Sequence, residues 1–329
     1  MKRASLAVAV ALVAGCAHEQ PIVNLPDRAI GEDLVDLVPS GPDLLVDVDV
    51  TQLDSWPTAR RLLDLLPAAG KQRLQRLGDD PLARIDAVVV GVYRAGAADA
   101  EAATIVRGKL DWDALRGGAP EIDYHGATVV DRDAGEDSMA RVTPRVLAFG
   151  SRAMVRRVLD VASRQDDSVR NGAVDKPLRD AFDRAPTAKL GRPALMLGLV
   201  ATAPLREKLR AEKWGSAAEL DWLALSFAVG DGFDVGIIGG APGPAEANTL
   251  AELMQKRANE LKSQVTMRLL GLVPYVDPFV VVAKQAEVHV AYRLVERRVD
   301  QLVTRLAQMQ ALTPRSPDQA DQTAKAVAR

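Results

Sequence analysis

Cysteine and histidine are nearly absent from this chain of 329 residues, which has one cysteine and three histidines. A zinc site takes three or four ligands from His, Cys and carboxylates, and the histidines stand far apart, at His18, His125 and His289. No serine lies in the Gly-x-Ser-x-Gly pattern of a nucleophile elbow. The sequence therefore predicts no metal, no cofactor and no catalytic residue, which favours a protein that is not an enzyme.

Aromatic residues and an excess of one charge are lacking as well. Aromatics make up 4% of the chain, which disfavours a large glycan-binding cleft because such surfaces use Trp and Tyr as rigid anchors. The 42 basic residues nearly balance the 44 acidic ones, whereas a nucleic-acid-binding protein normally carries a basic excess. We expect no nucleic-acid partner. A hydrophobic share of 48% and a charged share of 26% are typical of a folded globular protein.

Long apolar runs are missing too. Lys2 and Arg3 precede the short apolar run Leu6–Ala14, and a membrane-spanning helix needs about 20 apolar residues. A basic start followed by a short apolar run is typical of a cleaved signal peptide, which we place at residues 1–15.

The segment Val13-Ala14-Gly15-Cys16 resembles the bacterial lipobox. That resemblance implies that Cys16 is lipidated, becomes the mature N-terminus and attaches the protein to a membrane. An ordinary signal peptide with a chance cysteine is the alternative. In lipoproteins that resemble this one, an Asp after the cysteine favours retention at the inner membrane. Ala17 therefore favours the periplasmic face of the outer membrane.

Polar residues and prolines predict a flexible tether over residues 16–38 and a disordered tail over 313–329. Between them, 39–188 and 189–312 both follow the order β-α-β-β-α-β-β-α, which suggests an internal duplication. Strands joined by short connections must pair antiparallel. We therefore predict an α+β fold with antiparallel sheets backed by helices, in two similar lobes.

Three short segments of the first lobe carry a resemblance to known proteins: Gly108-Lys109-Leu110-Asp111, Tyr124-His125-Gly126 and Leu147-Ala148-Phe149-Gly150-Ser151. They resemble a group of uncharacterised lipoproteins and exported proteins from high-GC bacteria, myxobacteria among them. In that group a strand ends Gly-x-hydrophobic-Asp, a Tyr-x-Gly turn follows, and a later strand breaks at Gly-Ser into a helix. The resemblance implies an exported lipoprotein and supplies no activity or catalytic residue.

Two motifs could carry chemistry but have simpler interpretations. Asp47 and Asp49 share one face of a strand, with Asp43 nearby, and paired carboxylates can bind Ca²⁺ or act as an acid and a base. We favour the solvated face of a strand, where charges prevent aggregation of a sheet edge. The glycine-rich segment Gly236–Gly243 lies before a helix but matches no phosphate-binding pattern. We predict a tight connection there.

The longest predicted element is a helix over residues 244–272 with a stripe of apolar and small residues. Packing against the sheet explains the stripe, and a groove for a partner or ligand is the alternative. The residues of that groove would be Leu250, Met254, Leu261, Val265 and Leu269.

The sequence thus predicts an envelope lipoprotein with a non-catalytic binding or assembly role, anchored through Cys16 and docking another envelope protein. One alternative is a carrier or sensor of an apolar ligand held between the long helix and a sheet. Another is a hydrolase with a dispersed site. The oligomeric state stays open.

Overall fold

The computed structural model describes residues 33–64, 81–132, 137–186, 190–211, 217–269 and 271–312. Within these ranges the strands form one antiparallel sheet of twelve strands with helices packed against it. This confirms the α+β fold class. The signal peptide, Cys16, most of the tether, a helix predicted near residues 72–77 and the tail lie outside the described residues.

The sheet places strands from the two halves of the chain edge to edge. Its strands are β1 Leu44–Asp49, β2 Ile85–Tyr93, β3 Glu101–Gly108, β4 Glu121–Tyr124, β5 Ala127–Arg132, β6 Asp137–Thr143, β7 Val146–Gly150, β8 Leu195–Val200, β9 Trp222–Gly230, β10 Gly232–Gly240, β11 Val280–Lys284 and β12 Glu287–Val295. Their order across the sheet is β11-β12-β10-β9-β8-β1-β2-β3-β7-β6-β5-β4.

The two halves repeat one strand order about the central pair β1–β8. Outward from this pair, β8-β9-β10-β12-β11 matches β1-β2-β3-β7-β6. The first half continues with the hairpin β4–β5, and β4 was not predicted from the sequence. Because β1 pairs with β8 from Leu44↔Leu199 to Val48↔Leu195, the two predicted lobes share a single sheet.

Helices cover both faces of the sheet. They are α1 Val50–Asp54, α2 Pro57–Asp64, α3 Pro81–Arg84, α4 Trp112–Arg116, α5 Arg152–Ala162, α6 Lys176–Asp183, α7 Ala203–Ala211, α8 Pro244–Ser263, α9 Val265–Leu269 and α10 Glu296–Leu312. The first face, which carries Leu45 and Val89, packs against α5 and α6. The second face, which carries Val46 and Val88, packs against α4 in the first half and against α8 and α10 in the second. The closing helices of the two halves, α5 and α10, therefore lie on opposite faces.

The predicted tether overlaps the folded body at its end. Leu34–Leu37 forms a short 3-10 helix capped by the Asp33 side chain, and Leu34, Val35, Leu37 and Val38 are buried in the cluster on the first face. The prediction that residues 16–38 form a tether was therefore wrong at this end. The four apolar residues of this segment are too few to show a helical or strand periodicity in the sequence. In the folded chain they pack beside α5.

The interpretation of Asp47 and Asp49 as charges on a sheet edge was also wrong, because β1 is a central strand paired on both sides. The Asp49 carboxylate is the N-cap of α1 and accepts from the backbone N–H of Gln52 at 3.1 Å. Among the residues that the structure describes, no group of three or more His, Cys, Asp or Glu is placed to hold a metal.

The glycines of the predicted tight connection belong mostly to β10, which extends to Gly240. Their small size is required by close neighbours. A Cβ on Gly236 would lie 2.7 Å from Pro186, and one on Gly240 would lie 2.0 Å from the Trp222 ring. Only Ala241–Gly243 connects strand to helix. The glycines therefore serve packing on the sheet, a role that the sequence pattern does not distinguish from a loop.

Candidate ligand cavity

The helix α8 lies across the second face of the sheet, over the outer strands of the second half. Pro244 occupies its first turn and Glu246 places a negative charge near its N-terminus, and both features stabilise a helix start. Its buried residues are Ala247, Leu250, Ala251 and Ala258. Three of these four are alanines, whose side chains fill little of the volume between the helix and the sheet.

The predicted long helix is interrupted. It ends at Ser263, Gln264 adopts an extended conformation with ψ 131°, and Val265–Leu269 forms the separate helix α9. The Ser263 hydroxyl bonds the Glu260 carbonyl at 2.7 Å, an alternative to the backbone ladder that weakens helices. The β-branched Val265 and Thr266 follow, and such residues are poorer helix formers than Ala or Leu. The prediction of one helix over 244–272 was wrong for this reason.

Between α8 and the sheet lies a partly enclosed cavity of about 880 Å³. Its walls are almost entirely apolar side chains from the helix, from three strands and from the segment after α9. The described residues that line it are Leu220, Leu223, Ile237, Gly239, Leu250, Leu253, Met254, Arg257, Ala258, Leu261, Tyr275, Val276, Phe279, Val288, Val290 and Tyr292. Its volume lies within the range of about 300–1,000 Å³ that is usual for small-molecule sites.

The sheet supplies the floor of the cavity through alternate residues of β10 and β12. Ile237 and Gly239 belong to β10, and Val288, Val290 and Tyr292 belong to β12. Ile237 pairs directly with Val290, and Gly239 with Val288, so these side chains stand on one face. Position 239 has no room for a larger residue, because a Cβ there would lie 2.8 Å from the Leu220 side chain.

The tyrosine hydroxyl on this floor is satisfied by the protein. The Tyr292 hydroxyl donates to the Tyr275 carbonyl at 2.6 Å, and burial raises the pKa of Tyr292 to about 12. Its ring packs on Phe233, with centroids 5.6 Å apart. The group is therefore held neutral and fixed, as a wall of the cavity that stays uncharged at physiological pH.

Of the five groove residues predicted from the sequence, the structure places three at the cavity. Leu250, Met254 and Leu261 line it. Val265 does not: its side chain is 69% exposed, because the break at Gln264 redirects the chain after α8. Leu269 ends α9, and its side chain lies outside the described part of the structure.

Sequence reasoning missed the strand residues and the Tyr275–Phe279 wall. A signal for the floor was present, since Val288, Val290 and Tyr292 alternate with more polar neighbours along one strand. Nothing in that alternation indicates which helix faces the strand or how far away it stands.

A second, polar cleft of about 500 Å³ lies at the C-terminal end of α8. The described residues that line it are Asn259, Lys262, Ser263, Arg268, Gly271, Val273 and Pro274. Leu261 and Tyr275 line the cavity, and their neighbours Lys262 and Pro274 line the cleft. At this end of the helix the two spaces are therefore lined by residues that are neighbours along the chain.

The remaining histidines do not form a catalytic group with the cavity. His289 lies beside Glu287, as expected, with Nε2 and Oε2 3.0 Å apart, and it faces the opposite side of β12 from Val288 and Val290. His125 occupies a turn with φ 53°. Within the described ranges, no helix is both long and apolar enough to cross a membrane.

Comparisons with known structures show a distant likeness. No protein-family model matches the chain, and no curated protein matches it. The solved structure of TP0453 in crystal form I is similar at 11% sequence identity with a TM-score of 0.44, and the match covers 84% of this chain and 98% of that one.

Proposed function

We propose that this protein is a lipid-anchored binding protein of the bacterial envelope that holds an apolar ligand in the cavity beneath α8, without catalysing a reaction. The observation that carries the proposal is the cavity itself, about 880 Å³ lined almost entirely by apolar side chains. A fully packed interface between this helix and the sheet would have removed the ligand-binding alternative.

The chemistry of the walls favours retention of a ligand over reaction. Burying one methylene group contributes about 0.8 kcal/mol, so ten methylenes supply roughly 8 kcal/mol before the cost of ordering the ligand. The only described hydroxyl-bearing side chains of the lining are Tyr275 and Tyr292, and the Tyr292 hydroxyl already donates to a backbone carbonyl. No pair of these side chains suggests a nucleophile and its base.

The anchoring part of the proposal depends on the sequence. The lipobox-like segment ending at Cys16, the residue Ala17 and the resemblance to exported lipoproteins of high-GC bacteria support attachment to the periplasmic face of the outer membrane. Attachment to a membrane would keep a carrier or sensor close to a reservoir of apolar molecules.

Docking of another envelope protein is the second candidate function. Leu253, Leu261 and Val265 are 37%, 43% and 69% exposed along α8 and α9. Exposed apolar side chains that form a contiguous patch mark binding surfaces. Two of the three, Leu253 and Leu261, also border the cavity, so a partner at this surface would meet the ligand.

The proposal is tested by filling the cavity. Ala258 is 5% exposed and lines the cavity, so Ala258→Phe places a ring in the ligand's space. The full chain with Cys16→Ser is titrated with N-phenyl-1-naphthylamine, an uncharged apolar fluorophore. We expect saturable binding that Ala258→Phe weakens by roughly tenfold or more, equivalent to at least about 1.4 kcal/mol.

The matched control is Lys256→Phe, which adds the same ring two residues away at a position that does not line the cavity. We expect its binding to equal that of the parent chain. The absence of saturable binding in the parent chain, or an equal loss in both variants, would refute the cavity as the ligand site.

A further inference from the structure

The lining of the cavity carries one charge at its rim. Among the described residues that line the cavity, Arg257 is the only charged one. Its guanidinium forms an ion pair with Glu260 at 2.8 Å, and the two side chains are 73% and 42% exposed. Exposed pairs of this kind contribute little. The guanidinium can therefore exchange Glu260 for another anion at low cost.

The helix dipole does not account for this position, and the exposed i,i+3 ion pair with Glu260 adds little to helix stability. Cations near a helix C-terminus interact favourably with the helix dipole, but the effect fades beyond the last turn. Arg257 precedes the last residue of α8, Ser263, by six positions. Its place at the rim of the cavity allows it to contact a ligand held there.

The polar cleft at the C-terminal end of α8 carries positive charge, as Arg257 does. Lys262 and Arg268 line it, and no described lining residue is acidic. Lys262 lies 3.4 Å from Asp277, which is 57% exposed. Arg257 and Lys262 on α8 and Arg268 on α9 are thus three cations on two successive helices, and Arg257 is the one that lines the cavity. A molecule that fits an apolar cavity with a cation at its rim has an apolar body and a negatively charged end.

Resting on the proposed function, we infer that the ligand is an anionic amphiphile, an acyl or alkyl chain ending in a carboxylate or a phosphate. The chain occupies the cavity and the anionic group is bound by Arg257 at the rim. Arginine suits this role because its planar guanidinium can bind a carboxylate or a phosphate with two parallel hydrogen bonds. A fatty acid and a phosphate-headed lipid share this chemistry.

The experiment compares ligands that differ only in the headgroup. Dodecanoate, dodecyl phosphate, dodecanol and dodecyltrimethylammonium compete with N-phenyl-1-naphthylamine on the full Cys16→Ser chain, below the concentrations at which they form micelles. We expect at least one of the anions to bind roughly threefold to tenfold more tightly than the alcohol, as for a partly exposed charge-assisted hydrogen bond. The cation should bind most weakly. Which anion binds better distinguishes a fatty acid from a phosphate-headed lipid.

Variants assign the preference to one side chain. Arg257→Gln should remove the preference for the anion over the alcohol while leaving the affinity for dodecanol unchanged. Arg257→Lys should restore part of the preference. Lys256→Gln, which removes the neighbouring charge away from the cavity, should leave the preference intact.

The outcomes separate this inference from the proposed function. If the fluorophore does not bind saturably, the proposed function fails. If it binds but the alcohol competes as well as both anions, or Arg257→Gln leaves the anion preference unchanged, the cavity stands as a ligand site and the anionic class is wrong.

Discussion

At the scale of single residues, Asp47 illustrates how a polar side chain is tolerated inside a sheet. It lies on central strand β1, directly between Val89 on β2 and Met196 on β8. Burial raises the pKa of Asp47 from 3.8 to about 6, with smaller contributions from Asp33, which raises it, and Arg192, which lowers it. The ionised carboxylate is therefore less stable in the folded chain than in the unfolded one.

The pH dependence of stability follows from that sign. As pH rises from about 4 to about 6, the unfolded chain loses the Asp47 proton first, so the free energy of unfolding falls. We expect Asp47→Asn to be more stable than the parent chain by about 1–2 kcal/mol near pH 7.5, and the difference to shrink near pH 4.5. Urea denaturation at the two pH values measures it. A difference of equal size at both would show that ionisation is not the cause.

At the scale of helices and strands, capping residues were the most reliable sequence signals. Ser151 stands between an apolar strand pattern and a helical one, which predicts an N-cap, and its hydroxyl accepts from the Met154 backbone N–H at 3.3 Å at the start of α5. Asp111 caps α4, which ends at Gly117 in the left-handed conformation with φ 62°. Gly230-Asp231-Gly232 stands between two apolar runs, which predicts a hairpin turn, and it forms the turn between β9 and β10, with Gly232 at φ 118°. Each of these signals depends on a few residues that are adjacent in the sequence. It can therefore be recognised without knowledge of the tertiary structure.

Loss of a cap should be measurable. Ser151→Ala removes the acceptor for Met154 and also the donor to the Glu101 carboxylate at 2.8 Å. We expect the free energy of unfolding to fall by about 1 kcal/mol, measured by urea denaturation. Ser163→Ala, at the other end of the same helix, is the control and should change it by less. Equal losses in the two variants would contradict the capping role.

The break after α8 could not be predicted from the pattern of apolar residues. The apolar stripe continues through Val265 and Leu269, and a stripe alone does not reveal that Gln264 turns the chain. The groove was correctly located along Leu250, Met254 and Leu261 because these residues stand on the face of α8 toward the sheet. The opposing wall, Val288 to Tyr292, depends on which strand the helix crosses.

At the scale of the whole molecule, the two halves share a hydrophobic core and a sheet. Trp56 belongs to the first half but is buried in the core of the second, with its ring 6.2 Å from Phe227 and 6.1 Å from Phe233. Its indole N–H donates to the Glu296 carboxylate at 2.7 Å, at the start of α10. The continuous sheet through β1 and β8 adds a second connection. The predicted division at residues 188 and 189 therefore lies between parts that share their cores.

We expect the body to unfold in one cooperative transition, because separating the halves would expose Trp56 and open a central sheet edge. In scanning calorimetry the calorimetric and van't Hoff enthalpies of unfolding should agree, which is the test of a two-state transition. Trp56→Ala should lower the single transition temperature without dividing it. Two resolved transitions in the parent chain would show that the halves are independent domains.

Lipidation is tested on the whole protein in its host. If the resemblance of Val13-Ala14-Gly15-Cys16 to a lipobox holds, mass spectrometry of the protein purified from membranes should show a mature chain that begins at Cys16 with a diacylglycerol thioether. Cys16→Ser should move the protein from the membrane fraction to the soluble fraction. An unmodified thiol, or an intact N-terminal segment, would disprove the anchor.

The sequence by itself determined the class of fold, the helix caps, the hairpin turn and the helix that borders the cavity, because each depends on periodicity or on residues within one turn of the chain. Only the tertiary structure decided that the two halves share one sheet, that α5 and α10 lie on opposite faces, and that α8 packs against β11 and β12 with a cavity between it and the sheet. Those features depend on the volumes of side chains far apart in sequence. Here they are Gly239 and Ala258, which line the cavity and leave space that larger side chains would have filled.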